Sequence, residues 1–316
     1  MDISVIIPIK NRAHLIIETL DSILNQTLLP KEIIIVDDCS TDDLKQVLLP
    51  YFDKIILVKS EGHGPGAARN TGLKIATGKA IQFFDSDDVM TPNKLEVQAA
   101  LLNDNSKAGC VIGPFVSAKK INGNWVQTDV IMQYQPLLPK PLYDIVAEGW
   151  CSITQACLFS RTLIDQVGDW REDIMTHEDK EYWFRIALLN PFPIHENKSL
   201  TIYRQHEQQV TDKTTQEVER TQNGILVFSD MLNRENGKLS IFSKWVLKGI
   251  LANYKMYSVK YKLYYPIKRS DYVVRFVAKI YSKLGRLQTG TDWQPIHSVT
   301  KDEQVFTSFL RLFNKR

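Results

Sequence analysis

Residues 81–90 read IQFFDSDDVM, which sets three carboxylates, Asp85, Asp87 and Asp88, directly behind an apolar run with the pattern of a buried strand. Mutual repulsion raises the pKa values of such acids or strains the fold unless they share a cation. Hard oxygen donors suit Mg²⁺ or Mn²⁺, which complete their shells with water and substrate phosphates. A D-x-D triplet alone is a weak signal, because acidic turns are common on protein surfaces. Here, however, a second apolar run, residues 32–38 (EIIIVDD), also ends in acids, Asp37 and Asp38.

Working outward, strand and helix patterns alternate through the first hundred residues. ISVIIPI (residues 3–9) precedes apolar positions at helical spacing from Ala13 to Leu24. Ser40-Thr41-Asp42-Asp43 is an S-x-x-D capping signal for a helix to about Leu49. IILVKS (residues 55–60) is a third strand, a glycine-rich turn opens a helix near Pro65, and Pro92 starts a helix over residues 93–102. Strands apolar on both faces and joined by helices imply a mostly parallel α/β sheet with right-handed crossovers. Ligands then sit beyond the carboxyl ends of the strands, where both acidic groups converge.

From about Gly109 the pattern is mixed. Asn122-Gly123 marks a hairpin, short strands follow at residues 155–159 and 199–203, and a helix begins near Glu178. Helical patterns near residues 216–232, 239–261 and 271–284 dominate after about Thr214. The expected division is therefore residues 1–213, in halves 1–108 and 109–213, and a helical region over 214–316.

Composition excludes some classes. A length of 316 residues allows one large domain or two modest ones. The net charge of +3 is too mild for a nucleic-acid binder. No leader-like start and no span of about 18–20 apolar residues is present, so a cytoplasmic protein is expected. Cys39, Cys110, Cys151 and Cys157 lack CxxC spacing and read as reduced packing residues.

Taken in order, SVIIPIKNR, ILNQT, EIIIVDDCSTD, GPGAARNTGL, GKAIQFFDSDD and HEDKEYWFRI resemble the family 2 glycosyltransferases of GT-A fold, over about residues 1–210. The resemblance implies an inverting, metal-dependent transfer from a nucleotide-sugar, with UDP favoured, to a saccharide or lipid-linked acceptor in surface polysaccharide or glycolipid assembly. It implies that Pro8, Asn11 and Asp38 hold the nucleobase, Asp38 accepting the N3 hydrogen of uracil; an Asx-turn role for Asp38 is the alternative. Arg69 would touch the phosphate or ribose, Asp85 the ribose or sugar, and Asp87 the Mn²⁺ or Mg²⁺ ion. Asp88 is left to cap the next segment of chain.

The same resemblance makes Asp179 the general base, although Glu178 and Asp179 also suit helix capping. Trp150, Trp170, Glu178 and His206 are candidates for acceptor or diphosphate contact, with core packing the alternative for both tryptophans. Two departures stand out. Lys10 replaces an aromatic common in IPxYN, and EDKEYW lacks an acid often found two residues after the base. The Q-x-x-R-W signature of processive members is absent, which implies addition of a single sugar.

Between Lys238 and Arg286 twelve lysines and arginines face one acid, Asp271, with interleaved tyrosines. Such a stretch suits a helix on an anionic membrane surface and equally a helical cap or homodimer contact. Rival readings are a NAD-dependent dehydrogenase, from Gly62-x-Gly64-x-Gly66, a phosphatase with FFDSDD as nucleophile strand, and a catalytically silent nucleotide- or carbohydrate-binding protein. Against the first, the glycine turn follows the third strand and Arg69 stands in place of the third glycine of G-x-G-x-x-G.

Overall fold

The computed structural model describes residues 1–128, 132–133, 140–149, 151–206, 214–260, 270–274 and 294–295. Trp150 and most of the expected helix over 271–284 lie outside them.

The chain begins with β1 (Ile3–Ile9), α1 (Ala13–Leu24), β2 (Glu32–Asp37), α2 (Leu44–Leu48), β3 (Ile56–Lys59), α3 (Gly64–Ile75), β4 (Ala80–Phe83), β5 (Val89–Met90) and α4 (Lys94–Asp104). It continues with β6 (Ala108–Ile112), β7 (Phe115–Ile121), β8 (Asn124–Gln127), β9 (Met132–Gln133), α5 (Leu142–Ala147), β10 (Cys157–Ser160), α6 (Arg161–Val167), α7 (Glu178–Leu188), β11 (Phe192–His195) and β12 (Thr201–Gln205). Helices α8 (Thr214–Arg234) and α9 (Ile241–Lys260) follow, then helical residues 270–274 and a short β13 (Gln294–Pro295).

Seven strands form the main sheet in the order β11-β6-β10-β4-β1-β2-β3. Pairing is parallel from β4 through β3 and between β11 and β6, while β10 runs antiparallel to both its neighbours. This is the mostly parallel α/β sheet that the repeating apolar runs imply. A second sheet has the order β13-β9-β7-β12-β5 with β8 on β7, and its β5 follows β4 directly and pairs antiparallel with β12. Gly113-Pro114 divides one apolar stretch between the sheets, because proline has no N–H to continue a ladder. Asn122 and Gly123 both adopt positive φ, at 51° and 83°, as the tight β7–β8 turn requires.

The main sheet is covered on both faces, and side chains alternate between two cores. Ile6, Ile34, Val36 and Phe83 point to one with α7, α8 and α9; Val5, Ile7, Ile33, Ile35 and Phe84 point to the other with α1 and α4. Each such side chain, fully buried, stabilises by roughly 1.5–3 kcal/mol. Val227, Phe228, Met231 and Leu247 belong to the first core, so α8 and α9 pack into the body that holds the sheet. No described helix is long and apolar enough to cross a membrane. All four cysteines are free.

One local expectation is corrected. Ser40 does not cap α2, whose N-cap is Asp43 with no side-chain bond. Its hydroxyl instead accepts from Asn11 N–H, and Asp42 accepts from Ala13 N–H at the start of α1. The expected capping residues thus serve the loop after β1 and the start of α1 instead.

Candidate active site

Beyond the carboxyl ends of β1, β2 and β4 lies a cleft of about 850 Å³, bounded on its far side by the N-terminus of α7 and by α8. Asn11, at φ 53°, turns the chain after β1, and its side-chain oxygen accepts from Thr41 N–H. It organises the loop from behind, while Pro8 lines the cleft. After β2 the two acids divide their tasks. Asp37 accepts from Ser40 N–H, three residues on, and Asp38 turns into the cleft. Asp38 is 4% exposed; one oxygen accepts from Gly64 N–H at 3.0 Å and Lys10 Nζ at 3.2 Å. Its other oxygen, Oδ1, is buried without a hydrogen-bond donor, with His63 Nδ1 3.6 Å away. Gly64 donates this bond at φ 87°, a conformation that favours glycine. At Gly66 a Cβ would come 2.2 Å from the Arg171 carbonyl oxygen, so the start of α3 can approach the 170–171 backbone only as glycine.

Helix α3 delivers Arg69 to the middle of the cleft. Its guanidinium bonds Asp85 at 3.3 Å and Glu178 at 3.2 Å, and lies 4.5 Å over the Trp170 ring. Burial works against its charge, but Asp85 and Glu178 outweigh that and hold its pKa above the usual value.

The three acids after β4 offer oxygens within 4.8 Å of one another. Burial raises the Asp85 pKa, partly offset by Arg69 and reinforced by Asp87. Asp88 is fully buried and accepts from Gln155 Nε2 at 2.5 Å and Arg204 N–H at 2.9 Å. Burial, with Asp87 and Asp85 beside it, pushes its pKa well up. Asp88 thus ties the acidic loop to β12, leaving Asp85 and Asp87 to line the cleft. Burial also opposes ionisation of Asp87, yet His206 at 2.9 Å and Arg12 at 3.6 Å prevail and hold its pKa below the ordinary value. An ionised carboxylate beside a second carboxylate and an imidazole nitrogen fits a divalent cation of Mg²⁺ or Mn²⁺ type.

At the opposite wall, α7 starts at His177, a non-glycine residue at φ 67°. Glu178 faces Arg69; burial raises its pKa to about 7 against the pull of Arg69 and with the push of Asp179. Asp179 lines the cleft beside it, accepting from Lys180 N–H and from Cys151 Sγ at 3.7 Å. Burial drives the Cys151 thiol far above its ordinary range, so it remains a neutral donor.

The cleft therefore brings together Pro8, Asp38, Arg69, Asp85, Asp87, Glu178 and Asp179. The expectation of sugar stacking by Trp170 is corrected. It is 2% exposed, with Arg69 over its ring and Tyr182 stacked at 3.8 Å, so it supports Arg69 from beneath. His206 is no lone surface residue, because Asp87 engages it.

Sequence reasoning missed Arg12, Gln155 and Arg204. Arg204 is 1% exposed and bonds the Asp87 carbonyl, Glu18, Leu15 O and Thr19 Oγ1. The signal was available: Ile202 faces inward on β12, and a period of two puts Arg204 on the same face.

Residues 4–168 match the family described as Glycosyl transferase family 2. An uncharacterized glycosyltransferase of Rickettsia conorii is 33% identical over 198 residues, which cover 60% of this chain and 30% of that protein. In Escherichia coli, the UDP-Glc:alpha-D-GlcNAc-diphosphoundecaprenol beta-1,3-glucosyltransferase WfgD is 34% identical over 135 residues, 39% of this chain and 53% of WfgD. The solved structure of S. aureus TarS 1-349 in complex with UDP-GlcNAc superposes with a TM-score of 0.60 at 23% identity, covering 82% of this chain and 73% of that one. The likeness to TarS shows the GT-A fold. The chain spans 30% of the length of the first curated relatives that it matches.

Proposed function

The chain belongs to glycosyl transferase family 2, and from that premise we propose that it moves a sugar from a UDP-sugar to a hydroxyl of a saccharide or lipid-linked acceptor, with inversion at the anomeric carbon. The observation that carries this reading is one cleft with a buried, donor-less acceptor oxygen on Asp38 at one end and the α7 acids at the other, joined through Arg69.

Asp38 Oδ1 accepts the uracil N3 hydrogen, and the backbone of the Gly64 turn lets the nucleotide lie close. Asp85 and Asp87 hold Mn²⁺ or Mg²⁺, which when bound neutralises diphosphate charge. Arg69 faces the same diphosphate and stabilises the charge that builds on it as it departs. Asp179 takes the proton of the acceptor hydroxyl while that oxygen bonds the anomeric carbon and the bond to diphosphate breaks. A carboxylate suits this step because the hydroxyl becomes acidic only as the new bond forms. Glu178 is already engaged with Arg69, which favours Asp179 as the base.

Residues 1–213 carry the donor-binding groups and the base in this account. The basic stretch from Lys238 to Arg286 brings the chain to the cytoplasmic face of a membrane, where lipid-linked acceptors of surface polysaccharide or glycolipid assembly would lie.

A thermal-shift panel of UDP, GDP, dTDP, CMP and NAD, each with and without Mn²⁺, tests the donor assignment, because a ligand of the native state raises its melting temperature. A shift with UDP that requires Mn²⁺ is expected. A metal-independent shift with NAD would instead favour the dehydrogenase reading.

A further inference from the structure

We propose that the α8–α9 hairpin belongs to the catalytic apparatus: through Asn223 and Tyr254 it fixes residues 175–177, and thereby aims the first turn of α7, with Glu178 and Asp179, into the cleft. This rests on the glycosyl-transfer reading and extends it to positioning residues well beyond the matched residues 4–168.

The backbone before α7 is in a costly state. His177 sits at φ 67°, a left-handed conformation that disfavours a residue with a Cβ by about 1–2 kcal/mol. Yet α7 is built on it, since Glu181 N–H bonds the His177 carbonyl at 3.1 Å. Contacts from outside the loop must hold it there.

Two come from the hairpin. On α8, Asn223 is 7% exposed and, with its amide oxygen toward the loop, accepts from Met175 N–H at 3.1 Å, Thr176 N–H at 3.2 Å and Thr176 Oγ1 at 3.3 Å. On α9, the Tyr254 hydroxyl meets His177 Nε2 at 2.6 Å. The tyrosine ring is itself fixed. It stacks on Phe228 at 5.3 Å and covers Gly224, where a Cβ would come within 2.5 Å of it. Burial, aided by Lys180 and Arg220, lowers the His177 pKa to about 4, so its imidazole stays neutral at ordinary pH. Arg220, whose charge acts on the same hydroxyl, lines the cleft and carries the hairpin into the wall of the site. On the loop's other side, Met175 packs against Gly64, whose Cβ would lie 2.4 Å from the sulfur. The loop is therefore clamped between the nucleotide-side turn and the hairpin.

The test compares wild type with Tyr254→Phe, which keeps the ring packing and deletes only the hydroxyl, and with Asn223→Ala. Hydrogen exchange over residues 174–182, UDP affinity by calorimetry with Mn²⁺, and UDP release from UDP-glucose and UDP-GlcNAc are measured on the full chain. Loss of one buried hydrogen bond in Tyr254→Phe should speed exchange and slow turnover by up to about tenfold each, and loss of three in Asn223→Ala by at least as much, while UDP affinity stays within about twofold. A merely structural role would not separate turnover from donor affinity. Unchanged exchange in both variants overturns the proposal, as does faster exchange with unchanged turnover. A wild type that neither binds nor turns over UDP-sugars sinks the glycosyl-transfer reading itself, which separates the two failures.

Discussion

Two acidic groups face each other across the cleft, and their partners differ. The acids after β4 are embedded among bases. Arg12 and His206 flank Asp87, Arg204 holds its carbonyl, and the net result is an Asp87 pKa below the ordinary value. The acids that open α7 share Arg69 with Asp85, and there burial prevails, pushing Glu178 up to about 7. At the first end Asp87 is held ionised while burial raises the pKa values of Asp85 and Asp88 beside it; at the second, burial leaves Glu178 able to take up a proton near neutral pH. Arg69 ties the two, so charge brought to one end is felt at the other.

Substitutions can break this contrast. The largest effect is expected for Asp179→Asn: sugar transfer should fall by about a thousandfold, the scale of a lost general base, with UDP affinity retained. Steady-state UDP release alongside calorimetry decides it, and parallel loss of both would remove Asp179 from its role. Next, Asp38→Asn replaces an acceptor carboxylate by an amide and should weaken UDP by about tenfold or more, the scale of a hydrogen bond to a charged group. Equal affinity in the variant would return Asp38 to a purely structural role beside Gly64 and Lys10.

The smallest effect is read from stability rather than from turnover. The folded-state pKa of Glu178 is raised, so the fold binds this proton more tightly than the unfolded chain does. Its contribution to stability is present below the ordinary glutamate pKa of 4.5 and is lost as pH rises through about 7. Melting temperature measured from pH 4.5 to 7 should therefore fall less steeply for Glu178→Gln than for wild type; identical slopes would contradict the buried, proton-holding reading.

The same contrast explains what the sequence made legible. The donor end is written locally: an apolar strand, then acids, at the carboxyl edge where such sheets bind ligands. Asp38, Asp85 and Asp87 were found that way, and the cleft gathers them. The α7 end depends on contacts across long stretches of chain, such as Asn223 with Thr176 and Tyr254 with His177. No spacing rule announces them, because Asn223 and Tyr254 sit in no motif, although His177 opens HEDKEYWFRI. Trp170 shows the converse: its aromatic character suggested a sugar platform, but Arg69 and Tyr182 occupy it. The antiparallel insertion of β10 was likewise invisible, since a buried strand is apolar whichever way it runs.

The most direct test of the central claim, a metal-assisted donor end distinct from a proton-accepting end within one cleft, is calorimetric titration of UDP with and without Mn²⁺ into wild type, Asp87→Ala and Asp179→Asn. The account predicts tight binding that needs Mn²⁺ in wild type and Asp179→Asn, and loss of the metal-dependent part in Asp87→Ala. Binding indifferent to Mn²⁺, or equal in wild type and Asp87→Ala, would contradict it.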